Sequence, residues 1–436
     1  MNCIKQRNIT NPNILSTLFS KLMGLAALKA VSLPLMLAST VLLTRALEVE
    51  SFGQYAFCVA LIPLLSLPLS GGLNQLLTRE VSKYAQKNRW GHFKGIINSS
   101  FHWVITGFLL VAGVYLILTW SSLSERAWWQ FIPLVLLAVL LTSLKDIFES
   151  VLRGLKQPVY GSLPEQFIKP LALLAFITLF YFIDEIDVYT ALWSTVAACL
   201  FSLLLAFYFW LKKKPKIERA IPATYERPIW LKAILPFSLI SLTYTLNSNI
   251  GVVILGGIGA DADAAALRVA ERLVQIVSLP LLIVNSLIAP YFAEYWGNGD
   301  HKQLEKLSKY TARIALAFAL PLGVLIFLFG EPLLGFVFGK EYSEISYIPL
   351  LIITLAQLVN VFMGSVGLLL SMSGHERYTL LGQFTALLVN ITLCMLLIPP
   401  YGATGAALGI AASLITWNLL LGRLVKKHLK VSPGVI

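Results

Sequence analysis

The stretch that decides the architecture runs from residue 189 to residue 256. It reads YTALWSTVAACLFSLLLAFYFW (189–210), LKKKPKIERAIPATYERPIWLK (211–232) and AILPFSLISLTYTLNSNIGVVILG (233–256). Two apolar runs of 22 and 24 residues flank a basic linker. Each run exceeds the ~20 residues that carry a helix across a ~30 Å hydrocarbon core. Outward from the linker the pattern repeats. Five further apolar runs precede it, near 22–43, 54–77, 96–119, 131–151 and 161–182. Five follow, near 264–289, 311–331, 345–370, 378–398 and 402–422. In lipid a backbone must satisfy its own polar groups, so these runs are expected to be helices. The expected fold is an all-α polytopic membrane protein of twelve transmembrane helices. Residues 1–210 form one six-helix lobe, 211–232 the linker and 233–436 a second lobe.

Charge sets the orientation. Of the 34 Lys and Arg, 26 lie in the N-terminal tail, alternate gaps and the C-terminus, counting Arg313 at a span edge. The opposite gaps hold three, Arg45, Arg126 and Lys340. The positive-inside rule then places both termini in the cytoplasm. The other side carries Asp184, Glu185, Asp187, Asp261 and Asp263. Trp120, Trp128 and Trp129 are expected at the outer interface, and Trp90, Trp210 and Trp230 at the inner one.

Composition excludes several classes. Hydrophobic residues make up 57% and charged residues 13%, about half the usual charged share of a soluble domain. The net charge of +12 is dispersed over cytoplasmic gaps, which argues against a nucleic-acid partner. The first 21 residues are polar, so the first span reads as an uncleaved anchor. Cys3, Cys58, Cys199 and Cys394 match no disulfide or metal spacing and read as small apolar packers. The run Gly335 to Lys340 lacks phosphate-loop spacing, and no HExxH occurs. The reading is therefore not an enzyme, with no cofactor and no metal. Prolines 34, 63, 68, 170, 236, 280 and 321 punctuate the spans as possible bending points.

The halves are weakly alike. Phe57-Cys58-Val59-Ala60 falls opposite Leu267-Arg268-Val269-Ala270, and Gln166-Phe167 opposite Gln383-Phe384. Six spans plus six, starting on the same side, would be parallel repeats about a pseudo-two-fold along the membrane normal.

Ionisable residues at membrane depth are expensive and are functional candidates. Span eight carries Arg268, Glu271, Arg272, Gln275, Ser278 and Asn285 near one helical face, with apolar residues elsewhere. Such a stripe suits a helix lining water, or an internal ion pair of Glu271 with one Arg. Two Arg against one Glu leave a positive charge seeking an anion. A second group lies in the first half: Lys29, Thr142, Lys145, Asp146, Glu149, Glu165 and Lys169. These either face a cavity, as preferred for Lys29 and Lys169, or pair and snorkel at helix ends, as preferred for Glu149 and Glu165. Thr243, Thr245, Asn247, Ser248 and Asn249 of span seven, with Asn390 and Thr392 of span eleven, are expected to bond helix to helix.

Several short motifs, in order, resemble a known family. They are Thr44-Arg45-Ala46-Leu47, Phe52-Gly53-Gln54-Tyr55, Gly71-Gly72-Leu73 and Thr78-Arg79-Glu80. Leu152-Arg153-Gly154-Leu155, Ala289-Pro290 and Tyr401-Gly402-Ala403-Thr404-Gly405 follow. The chain resembles polysaccharide transporters, above all Wzx-type O-antigen flippases, of the superfamily that includes multidrug and toxin extruders and lipid II flippases. The resemblance implies a multidrug-extruder-like fold in a bacterial inner membrane. It also implies alternating-access transport of an undecaprenyl-diphosphate-linked oligosaccharide, an O-antigen or capsule unit, from the inner to the outer leaflet. Lipid II flippases place cations on spans one, two and eight. Lys29 fits the first and Arg268 or Arg272 the third, whereas span two has no charge. Some relatives bind a cation between spans seven and eleven, but those spans offer no carboxylate here. The expected substrate site is Arg268, Arg272, Lys29, Lys169, Lys145 and Gln275. Glu165, Glu149, Asp146 and Glu271 are candidates for proton or sodium coupling. Contact with polysaccharide polymerase machinery is a further expectation. The alternatives are a cation-coupled drug exporter of the same fold and a membrane scaffold of a polysaccharide assembly complex.

Overall fold

The computed structural model describes residues 12–121, 125–183, 186–215 and 221–435, with side chains described from residue 23, residue 26 excepted. Cys3, Asp184, Glu185 and Lys216 lie outside the described residues.

The described chain is helical, with no strand among the described residues. In the first half, α1 is Pro12–Ala46, α2 Val49–Leu65, α3 Leu67–Ser70, α4 Leu73–Gln86 and α5 Trp90–Leu118. There follow α6 Ile132–Gly154, α7 Pro158–Leu163, a π-helical turn Pro164–Ile168, α8 Lys169–Ile183 and α9 Val188–Lys213. The second half holds α10 Arg227–Ile258, α11 Asp261–Gly297, α12 His301–Val337, α13 Lys340–Met363, α14 Val366–Met372 and α15 Glu376–Leu429.

Among the described residues, eleven helical stretches are long and apolar enough to cross a membrane. The last, α15, has 54 residues, and at ~1.5 Å rise per residue it is far too long for one passage. It breaks at Gly402, whose φ of 51° and ψ of −128° are non-helical. A Cβ at Gly402 would fall 2.4 Å from the Asp263 carboxylate, so the break admits no side chain. Asp263 Oδ1 accepts from the Ala403 N–H at 2.8 Å and so caps the segment that follows.

Most helices extend beyond their apolar runs, and in three places the run and the helix break differently. The second run, expected over 54–77, is α2 and α3 over 49–70, parted from α4 by Gly71 and Gly72. The tenth, expected over 345–370, stops at Met363, and Gly364 with φ 69° separates it from α14. The eleventh and twelfth join except at Gly402. Hydropathy reports depth in lipid, whereas glycine conformation decides where a helix breaks. Pro68 lies in the first turn of α3, where the missing N–H costs little.

Helices of the first half pack on one another, as α6 does on α9 and α4. Those of the second half do likewise, as α13 does on α11, α12 and α15. Across the halves α2 lies against α10 and α11, and α1 against α11. The linker is strapped to the first half. Thr224 N–H donates to the Gly91 carbonyl at 2.9 Å, and Lys94 Nζ to the Ile221 carbonyl at 2.9 Å. Tyr84 Oη donates to Glu226 at 2.7 Å while accepting from Trp230 Nε1 at 2.9 Å. Burial pushes the Tyr84 phenol above its ordinary pKa, which keeps it a neutral donor.

Candidate functional site

The central feature is a cavity of about 330 Å³ between the halves. The first half contributes α1 through Ser39 and Thr40, α2 through Tyr55, and the start of α8 through Glu165 and Lys169. The second half contributes Asn249 of α10 with Arg268 and Arg272 of α11. Three cations and one carboxylate therefore line it.

The α11 stripe is placed by the packing of its other faces. Leu267, Val269, Leu273, Val277 and Leu281 are buried, which turns Arg268 and Arg272 toward the cavity. Arg268 Nη1 pairs with Glu271 at 3.1 Å. Arg272 Nη1 reaches Gln275 Oε1 at a long 3.4 Å, and its Nε is buried without a hydrogen-bond partner among the described residues. A buried guanidinium N–H left unmet is costly, so this site favours an anion. Tyr55 and Thr195 share a hydroxyl bond of 3.1 Å on the facing wall.

The first-half cluster forms a buried ion network. Lys145 is only 2% exposed. It lies 3.3 Å from Asp146 and 3.8 Å from Glu149, and it bonds Glu165. Lys169 meets the other Glu165 oxygen at 3.0 Å, and Arg153 lies 3.8 Å from Glu149. Three cations face three carboxylates. The π-helical turn at Pro164–Ile168 brings Glu165 between the two lysines. Lys169 and Glu165 touch the cavity, while Lys145 and Glu149 stay behind it. Lys29 is exposed and does not line the cavity. Neither Gln275 nor Glu271 lines it; they hold the two arginines from outside.

A second cavity of about 320 Å³ adjoins the first, sharing Pro63 and Thr142. Its wall is rich in hydroxyls and amides: Ser66, Ser70, Asn74, Gln75, Tyr244 and Gln383, with Asp146. Asn74 Nδ2 donates to Asp146 at 3.3 Å and its Oδ1 accepts from Ser150 at 3.0 Å. Gln75 donates to Ser241 at 3.3 Å across the halves.

The side away from the lysines is closed. Arg45 Nε donates to the Val337 carbonyl at 3.1 Å, and Nη2 to that of Phe336. Gln54 donates to Asp261 at 3.1 Å. Phe52 and Tyr342 meet edge to face at 6.1 Å. A Cβ on Gly53 would stand 1.9 Å from the Asp261 carbonyl oxygen, so glycine is what lets α2 and α11 touch there. In the sequence Arg45 is a motif member and an outer-gap cation, and Gly53, Gln54 and Tyr55 are motif members, but neither this closure nor the roles of Asn74, Tyr55 and Thr195 can be read there. The available signal is position, with Arg45 at a span end and Gln54, Tyr55 and Asn74 within two residues of a glycine; Thr195 carries none. The expected bond between spans seven and eleven is present: Asn390, fully buried, donates to Asn247 Oδ1 at 3.0 Å and to its carbonyl at 3.1 Å. Among the described residues no group of His, Cys, Asp and Glu could hold a metal ion.

Residues 21–296 match the family described as polysaccharide biosynthesis protein. The chain belongs to that family. Residues 236–396 also match the MatE family. A probable low-salt glycan biosynthesis flippase, Agl15 of Haloferax volcanii, is 25% identical over 181 residues, which span 39% of this chain and 38% of that relative. In fold the chain is similar to a multidrug resistance MATE family transporter in an inward-facing conformation. The TM-score is 0.73 at 14% identity, covering 93% of this chain and 99% of the other. It is also similar to the lipid II flippase MurJ in an inward closed conformation, with a TM-score of 0.72 at 16% identity over 94% and 87% of the two chains.

Proposed function

We propose that this family member is a flippase that moves an oligosaccharide linked to a lipid diphosphate across the membrane by alternating access. The observation that carries the reading is the cation-rich interlobe cavity, and within it the Arg272 guanidinium whose buried Nε has no partner. A diphosphate offers several oxygens at the spacing of an Arg fork. The adjoining hydroxyl- and amide-lined cavity suits a glycan, whose hydroxyls need donors and acceptors in turn. The lipid tail stays in the bilayer. The family and the Haloferax relative support the saccharide class.

In finer detail, the lipid is undecaprenyl diphosphate, the cargo an O-antigen or capsule unit, and the direction inner to outer leaflet of a bacterial inner membrane. The lysine-rich side is the cytoplasmic one. With the Gly402 break taken as the turn between two passages, the chain crosses twelve times and both termini are cytoplasmic. Closure at Arg45, Gln54 and Phe52 makes the present state closed to the outside. Glu165, held between Lys145 and Lys169, is the leading coupling group, because a change in its protonation frees one lysine or the other.

A cation-coupled drug exporter shares the fold, as the MATE similarity shows. The lining charge disfavours it, since the one carboxylate in the cavity is already engaged by two lysines. Complementation of a flippase-deficient strain tests the proposal: the wild-type chain restores surface glycan and a variant with Arg268→Ala and Arg272→Ala does not, at equal membrane abundance. Restoration by the double variant would overturn it.

A further inference from the structure

A further cavity lies apart from the interlobe one. About 500 Å³ of space lies between α5 of the first half and the start of α10 of the second, under the linker strap. We infer that this groove is a binding site for one anionic phospholipid of the lysine-rich leaflet.

The walls face lipid. Leu110 of α5 is 65% exposed and Leu231 of α10 is 49% exposed, and both line the groove. Their neighbours Leu109 and Leu235 are equally open. A space opening on such faces meets acyl chains in a bilayer. Its volume lies within the ~300–1,000 Å³ range of built ligand sites. Leu73, Leu76, Ile96 and Ile234 make its floor apolar.

The polar groups sit where a headgroup and an ester would. Arg227, the first residue of α10, lines the groove and is exposed; among the described residues it forms no ion pair with a carboxylate. It only rests over the Tyr225 ring at 5.2 Å, which leaves its charge for a phosphate. Ser99 Oγ, nine residues along α5 from Trp90, is buried and has no hydrogen-bond partner among the described residues. A hydroxyl in that state, on a wall that also carries Ser100, His102 and Thr106, suits an ester carbonyl. Trp103 and Trp230 line it as well, and Trp230 is one of the indoles expected at the inner interface. Trp230 spends its N–H on Tyr84, so only its ring face serves the groove. The leaflet that attracts a lysine-rich surface is the anionic one.

The site joins the halves without entering the transport cavity, because none of its lining residues is shared with that cavity.

The test is native mass spectrometry of the detergent-purified full chain, titrated separately with phosphatidylglycerol and phosphatidylcholine of identical acyl chains. One phosphatidylglycerol should bind about fivefold more tightly than phosphatidylcholine, the value of ~1 kcal/mol for one basic residue at a lipid surface. Arg227→Gln should remove the preference, and Ser99→Leu should weaken both lipids. Arg313→Gln, a basic residue outside the groove, should leave the preference intact and reports on folding and general surface charge. Equal binding of the two lipids by the wild type overturns the inference, and so does an equal loss in Arg313→Gln. Undecaprenyl phosphate is the third arm. If it displaces phosphatidylglycerol at equimolar concentration in an Arg227-dependent way, the groove belongs to a polyprenyl chain and the phospholipid assignment is wrong.

Discussion

Arg272→Ala separates a binding role from a structural one. Arg272 lines the cavity, has no carboxylate within ion-pair distance among the described residues, and leaves its Nε unmet. If it serves a diphosphate, its loss removes one or two hydrogen bonds to a charged group. Each contributes ~1.5–3 kcal/mol, so the lipid-linked substrate should bind about 10- to 100-fold more weakly for each bond lost, at ~1.4 kcal/mol per tenfold. Arg272→Lys keeps the charge and loses the fork, so a loss of about tenfold is expected. The same structure predicts that stability does not fall. A structural buried ion pair broken on one side costs ~3–5 kcal/mol, but here the variant removes a buried charge that lacks a partner. The assay pairs substrate binding by purified protein with thermal unfolding in the same detergent. Weakened binding with an unchanged or raised Tm supports the reasoning. A Tm drop of many degrees with normal binding by the surviving folded fraction would refute it, and would make Arg272 a packing residue.

Glu165→Gln should weaken the response of transport to an imposed proton or sodium gradient, measured in liposomes, because Lys145 and Lys169 lose their shared partner; an unaltered response removes Glu165 from coupling. In a background without native cysteines, a small aqueous thiol reagent should label Lys169→Cys, which touches the cavity, far faster than Lys145→Cys, which lies behind it; equal rates would contradict the placement. Arg45→Ala combined with Gln54→Ala should loosen the far side, and Tyr55→Cys should then become reactive to an impermeant reagent added there. No gain in labelling would mean these contacts do not hold the closed state.

The apolar runs carried the architecture because lipid imposes one rule on every segment, internal hydrogen bonding over ~20 residues. The α11 stripe was legible for a related reason: a charge in lipid has few tolerable positions, and the 3.6-residue period shows which face they share. Placement of the other cations was not legible. Lys145 and Lys169 both belong to polar helix starts or ends, yet the π-helical turn at Pro164–Ile168 decides that Glu165 closes Lys145 off and Lys169 reaches the cavity. Lys29 shows the converse. It lies in the expected span and near the helical face of Met36, Thr40 and Leu43, which line the cavity, but it sits about two turns short of Met36, roughly 10 Å along the helix. Asp261 and Asp263 read as unpaired outer acids. In the fold one holds Gln54 and the other caps the helix after Gly402, neutral partners that a search for opposite charge overlooks.

The central claim is that the cation-lined cavity passes a lipid-linked saccharide. The most direct measurement uses liposomes containing purified protein and a fluorescent oligosaccharide on undecaprenyl diphosphate, with exposure scored by an impermeant glycosidase. The account predicts protein-dependent transfer between leaflets that is lost when Arg268 and Arg272 are both Ala, and no uptake of a cationic dye by the same vesicles. Dye transport without transfer of the lipid-linked saccharide would contradict it and establish the drug-exporter reading instead.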